Sequence, residues 1–196
     1  MIQRLSNWIS RKANGRKVLA LLLLQLLFNF WVFPFFTRQF GPGEGQPILD
    51  LMFGFSPEQA YTIISDYGEA GRSGAIITTA IADSLYPFVY AGLLAFAISW
   101  FLKGMPMKSK KWQYLNLLPL AALAFDFAEN AGIIAMLAVY PAQAFVIAHI
   151  ASAAGILKWT FVVISAAALV FVIILGKIRP FFSRNENTRQ NSGTKI

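Results

Sequence analysis

The chain has no cysteine among its 196 residues. Structural disulfides, thiolate catalysis, thiol-based quinone reduction and Cys-ligated metals are therefore excluded. It has a single histidine, and none of the HExxH, paired Glu-x-x-His or GxSxG patterns that carry metal or nucleophile chemistry. Charge is also scarce. Asp, Glu, Lys and Arg make up 13% of the residues, against about 25% in a soluble domain. Apolar residues take their place: 57% of the chain is hydrophobic, 15% is aromatic and the mean hydropathy is +0.56. This balance describes an integral membrane protein whose length suits one helical bundle.

The net charge of +8 resembles a nucleic-acid signal until it is mapped. Fourteen of the 17 Lys and Arg lie in three stretches: before the first apolar run, in the loop at 103–111, and in the tail from Lys177. Five of the nine acids (Glu44, Asp50, Glu58, Asp66 and Glu69) fall between the first two apolar runs. That is the positive-inside pattern, so the charge reports orientation. No basic stripe interleaved with aromatic platforms is present, and nucleic acid is not an expected partner.

Hydropathy predicts four spans, at about 18–36, 76–102, 112–140 and 144–175. Residues 1–17 form a basic cytoplasmic N-tail, with Trp8 and Ile9 suited to the interface. No small-x-small cleavage site follows the first apolar run, so it reads as a retained anchor. Residues 37–75 form an extracytoplasmic loop, with a turn cluster at 41–45. Within the loop, Ser56-Pro57-Glu58-Gln59 predicts a helix start, with Ser as N-cap, Pro at N1 and Gln closing a capping box. Gly68 supplies the stop. Ala60, Tyr61, Ile64 and Tyr67 recur three or four apart, so this short amphipathic helix either lies on the membrane or caps the bundle mouth. Asp66, Glu69 and Arg72 at its end read as a solvated cluster. Residues 177–196 form a polar cytoplasmic tail, read as disordered. Both termini are expected in the cytoplasm, in a bacterial inner membrane or another cellular membrane.

The stretch 115–140 organises the rest, because Asp126, Glu129 and Asn130 interrupt it. At i, i+3 and i+4 they share one helix face. Leu115, Pro119, Ala122, Ile133 and Leu137 continue that face. Ala124, Ala128, Gly132 and Ala135 form a small-residue face suited to close helix approach. A charge at a helix centre costs about 2.5–3.5 kcal/mol on insertion scales, so the carboxylates must face the interior, be paired or be protonated.

The other spans carry matching polar groups. Gln25 and Asn29 lie on the first. Asp83, Tyr86 and Tyr90 share a face of the second, beside Pro87, which frees a backbone carbonyl. His149, Ser152, Ala153, Ile156 and Thr160 share a face of the fourth. At about 1.5 Å per residue, Asn29, Asp83, Glu129, Asn130, His149 and Ser152 fall about 8–16 Å from the outer end of their spans. Asp126 and Lys158 fall about 21–22 Å in and are expected to pair. On an ideal helix Lys158 points away from His149, so both facing inward requires a distorted segment around Ala151–Gly155.

The expected fold is an all-α, four-helix transmembrane bundle with a short extracytoplasmic amphipathic helix. The expected function is a polar pocket in the outer half of the bilayer that binds or transforms a small amphipathic or lipid-like molecule. Glu129 or Asp83 is the acid/base, with His149 as partner. Asp126, Asn130, Tyr86, Tyr90, Ser152, Asn29 and Lys158 are the ligand-binding set. The spacing demands no metal and identifies no cofactor. Expected partners are membrane lipids and such a ligand, with homo-oligomers open. Two rivals use the same residues differently: an oligomeric proton- or ion-coupled carrier, and a scaffold subunit whose polar groups only hold helices together.

Overall fold

The computed structural model describes residues 1–41, 43, 45–103, 105 and 110–192, except the side chains of 110 and 177–192. The expected turn at 41–45 depends on Pro42 and Glu44, which lie outside those residues. So do most of the basic loop at 103–111 and the end of the tail. The described chain is helical, with no strand. Four of its helices are long and apolar enough to cross a membrane: Gly15–Phe40, Gly68–Lys103, Lys111–Val139 and Phe145–Gly176. They correspond to the four expected spans and, by length and composition, suggest a membrane protein.

Helix α1 (Ile2–Lys12) precedes the first span. The span itself is α2 (Gly15–Leu27), a π-turn over Phe28–Val32, and α3 (Phe33–Phe40). The π-turn has a local cause. Pro34 has no N–H and its ring crowds the preceding turn, so the ladder widens and the Phe33 N–H reaches the Phe28 carbonyl. Helix α4 (Pro57–Asp66) leads through Gly68, at φ +64°, directly into α5 (Gly68–Lys103). A 3₁₀ helix (Lys110–Leu117) precedes α6 (Leu118–Val139). Helix α7 (Phe145–Ser192) completes the bundle and carries helical backbone into the stretch expected to be disordered.

The second and third spans are the central ones. In their most apolar windows 39% of residues are buried, against 6% in the first span and 11% in the fourth. The first span packs chiefly on α5, the fourth chiefly on α6, and α5 meets α6 between them. On α6 the expected inward face is observed: Pro119, Ala122, Asp126, Glu129, Asn130, Ile133 and Leu137 are all buried. The small-residue face is different. Ala124 and Ala128 are exposed, and close approach occurs at Gly132 alone, where an added Cβ would meet the Ala151 methyl at 2.7 Å.

Because the first span buries only Phe28, it is attached at a few points. Gly74 admits the carbonyl of Phe40, where a Cβ would collide. Tyr86 accepts a hydrogen bond from the Gln25 amide and donates one to Asn29 Oδ1 at 3.2 Å. At the α1 end of the bundle, fully buried Asn116 donates to the Ser6 carbonyl (3.1 Å), Ser10 Oγ (3.2 Å) and Ser99 Oγ (2.9 Å). Lys103 Nζ caps the C-terminus of α1 at the Ala13 carbonyl (2.5 Å), where the helix dipole favours a cation.

The opposite end is closed by residues 46–67. The expected cap is present: Ser56 Oγ accepts from the Gln59 N–H at 3.2 Å. Glu58, in the first turn, is held below the usual carboxylate range by its own backbone N–H and by the Ser56 hydroxyl. Ala60, Tyr61, Ile64 and Tyr67 are buried against Ile133, Met136 and Ala148, so α4 caps the bundle mouth instead of lying flat on lipid. Arg72 does not join an acidic cluster. It reaches the Ile64 carbonyl (3.4 Å) at the end of α4 and stacks over the Tyr140 ring at 4.3 Å.

The Tyr67 hydroxyl donates to the Pro47 carbonyl at 2.6 Å, and burial pushes the phenol up to about 12. An unfolded tyrosine releases its proton near pH 10. Stability from this group is therefore complete below pH 10 and falls as pH rises toward about 12. In detergent, Tyr67→Phe should cost about 1 kcal/mol at pH 7. Its melting temperature should then fall less than that of wild type between pH 9 and pH 11. Parallel pH profiles would show that the phenol is not buried as described.

Candidate functional site

Four carboxylates and one ammonium meet inside the bundle. Lys158 is 4% exposed on α7. Its Nζ lies 2.5 Å from Asp50 Oδ1 and 2.6 Å from Glu129 Oε2, and it donates to the Asp50 carbonyl at 2.8 Å. The expected pair of Asp126 with Lys158 is not formed. Asp126 instead accepts from the Tyr90 hydroxyl (3.0 Å) and from Asn130 Nδ2 (2.9 Å). Asp50 arrives from a 3₁₀ turn (Leu49–Leu51) in the segment before α4. Depth counted along spans cannot see a residue inserted from a loop. The available signal was local: Asp50 is the one charged residue in the apolar run Pro47-Ile48-Leu49-Asp50-Leu51-Met52-Phe53.

That segment is fastened by side chains. Leu49 and Phe55 are buried, and the Phe55 N–H donates to Ser152 Oγ at 2.9 Å. Ser152 therefore anchors the segment and does not line a pocket. His149 is exposed and stands on the α4 side of α7. The conflict between His149 and Lys158 resolves in favour of Lys158 facing inward, with α7 continuously helical between them.

Glu129 is fully buried against Lys158. Its carboxylate occupies the space that a side chain at Gly155 would fill, so α6 and α7 approach closely here because residue 155 is glycine. Its Oε1 has no hydrogen-bond partner among the described residues. Asn130 has a second task. Its Nδ2 donates at 3.1 Å to the carbonyl of Asp83, the acceptor that Pro87 leaves free four residues later on α5.

A cavity of about 580 Å³ opens beside this network, between the first, second and fourth spans. Asp83, Tyr86 and Tyr90 line it from α5, and Asp126 lines it from α6. Gln25, Asn29 and Phe33 come from the first span, Lys158, Trp159 and Val162 from α7, and Ile48, Asp50 and Leu51 form its roof. Leu93, Leu94 and Ala166 make the remaining wall apolar. Three buried polar atoms of these lining residues have no hydrogen-bond partner among the described residues: Gln25 Oε1, Thr78 Oγ1 and Trp159 Nε1. Phe33 meets Tyr86 edge-on and Tyr86 meets Tyr90 at a tilt, with centroids 4.9 and 5.5 Å apart.

Of the expected site residues, Asp83, Asp126, Tyr86, Tyr90, Asn29 and Lys158 therefore come together at one cavity. Glu129 and Asn130 stand behind it, and Ser152 and His149 lie elsewhere. Asp50, Gln25 and Trp159 complete it. Among the described residues, no three His, Asp or Glu side chains are arranged to hold a metal ion. No protein-family model, curated protein or solved structure matches the chain.

Lys158→Met leaves Glu129 buried without a counter-charge and should cost about 3–5 kcal/mol. Adding Glu129→Gln should restore most of that loss, because the unpaired charge is removed. Asp126→Asn keeps both contacts of Lys158 and should melt closer to wild type than Lys158→Met does. Thermal melts in detergent give the comparison, and an unchanged Lys158→Met variant would show that the pair contributes nothing to the fold.

Proposed function

We propose that this is a multi-pass membrane protein whose cavity binds a small amphipathic molecule drawn from the outer leaflet. The observation that carries this reading is the mixed lining. Carboxylates, an ammonium and unpartnered polar atoms share about 580 Å³ with leucine, valine and aromatic walls. Ligand sites of this size combine apolar walls with a few convergent polar groups in this way. An empty, dry site would leave those polar atoms at a cost of about 1–3 kcal/mol each.

Orientation follows from charge. Arg4, Arg11 and Lys103 line a groove at the α1 end, suited to the anionic headgroups of a cytoplasmic leaflet. The acidic segment with α4 then lies outside, and the cavity beneath it lies in the outer half of the bilayer. Entry is lateral. The first and fourth spans flank the cavity and pack chiefly on different neighbours, which favours the side between them as the way in from lipid. Of the two expected acid/base candidates, Glu129 and Asp83, the one that lines the cavity is Asp83, and Glu129 is sealed behind Lys158.

Two measurements test this. The chain lacks cysteine, so single-Cys variants label without background. Glu58→Cys should react with an impermeant maleimide in intact cells, and Asn7→Cys only after permeabilisation. Equal labelling of both would overturn the orientation. Native mass spectrometry of the purified protein should find a bound small molecule that is lost when Val162→Trp fills the cavity. Identical spectra for the two proteins would leave the scaffold reading in its place.

A further inference from the structure

With every carboxylate ionised, the charges around the cavity do not balance. Asp50 and Glu129 share Lys158, and that pairing alone is one negative charge in excess. Asp83 and Asp126 also line the cavity, and no described cation lies within ion-pair distance of either. A carboxylate at this depth is stable only with a counter-charge or a proton. Asp126 accepts one hydrogen bond on each oxygen, from Tyr90 and from Asn130, an arrangement that suits the ionised form.

Resting on the reading of the cavity as a ligand site, we propose that its occupant is an organic cation, an amphipathic alkylammonium. Its charged nitrogen sits between Asp83, Asp126 and the rings of Tyr86 and Tyr90, and its apolar body lies along Leu93, Leu94 and Val162.

Three further features favour this ligand class. Tyrosine faces attract ammonium groups when water is excluded. The Tyr86 and Tyr90 hydroxyls already have partners, so what these two lining residues have left for a ligand is the part of each ring not packed on its neighbours. Gln25 Oε1 is a buried acceptor that lacks a donor, which an ammonium N–H supplies. A bare divalent ion fits less well, because no three carboxylates are arranged to coordinate one and the far wall is apolar. An anionic amphiphile would bring its own charge against Asp83 and Asp126, where like-charge repulsion disfavours it.

The test uses three probes of equal chain length: decylamine, which is charged at pH 7, decanol and decanoate. Scintillation proximity with tritiated decylamine on detergent-solubilised protein should show saturable binding. A tenfold excess of decanol or decanoate should leave that binding in place. Asp83→Asn should weaken it at least tenfold while its ligand-free melting temperature stays near wild type. Asp83→Ser replaces it if the asparagine variant does not fold. Displacement by decanol or decanoate as effective as by unlabelled decylamine would overturn the charge assignment and leave the cavity reading standing. Absence of saturable decylamine binding would also overturn the assignment. Coupled with mass spectra unaltered by Val162→Trp, it would remove the cavity reading as well.

Discussion

Lys158 is the group on which the interior depends. Its ammonium is taken out of water at a cost of several kcal/mol, recovered only because Glu129 and Asp50 lie within ion-pair distance. The three partners come from three places. Lys158 belongs to the fourth span, Glu129 to the third, and Asp50 to the segment that closes the bundle mouth. The pair therefore fixes how α6 and α7 are rotated against each other, and it pulls a loop down onto them. Gly155 makes this possible, because no other residue leaves room for the Glu129 carboxylate between the two helices. With α6 and α7 locked, Asp126 and Asn130 are aimed at α5, where they meet Tyr90 and the carbonyl freed by Pro87.

This order explains which parts the sequence made legible. Helix periodicity is local, so the spans, the inward face of α6 and the Ser56 cap could all be read from spacing. The proline in α5 announced a carbonyl needing a partner, and Asn130 is that partner. Depth could be counted, but it did not sort the groups: Asp126 and Lys158, counted deeper, line the cavity with Asp83 and Asn29, while His149 and Ser152, counted level with those two, lie elsewhere. Rotation about a helix axis could not be counted in the same way. His149 and Lys158 sit at workable depths on different faces, and only packing on α6 decides which one turns inward. The loop was harder still. Asp50 is held by a tertiary ion pair, and a segment with no periodicity gives no register. Its only trace was a charge placed among apolar residues.

The four spans also divide the work unequally. The second and third provide a core that supports charged groups. The first and fourth are apolar on most of their surface, and the first is attached through Gly74, Gln25 and Asn29 instead of a broad packed face. A wall attached at so few points is the part of a bundle least resistant to displacement.

The segment carrying Asp50 has one more consequence. With that segment lifted away, Lys158 and Glu129 form a neutral pair. With it seated, the cavity wall gains one negative charge. A positive guest and a seated roof therefore favour one another, and by linkage each must strengthen the other by the same factor. A guest of opposite sign would loosen the roof instead. On the proposed reading, the loop residue that neither periodicity nor depth could place would tie the charge of a bound guest to the seating of this segment.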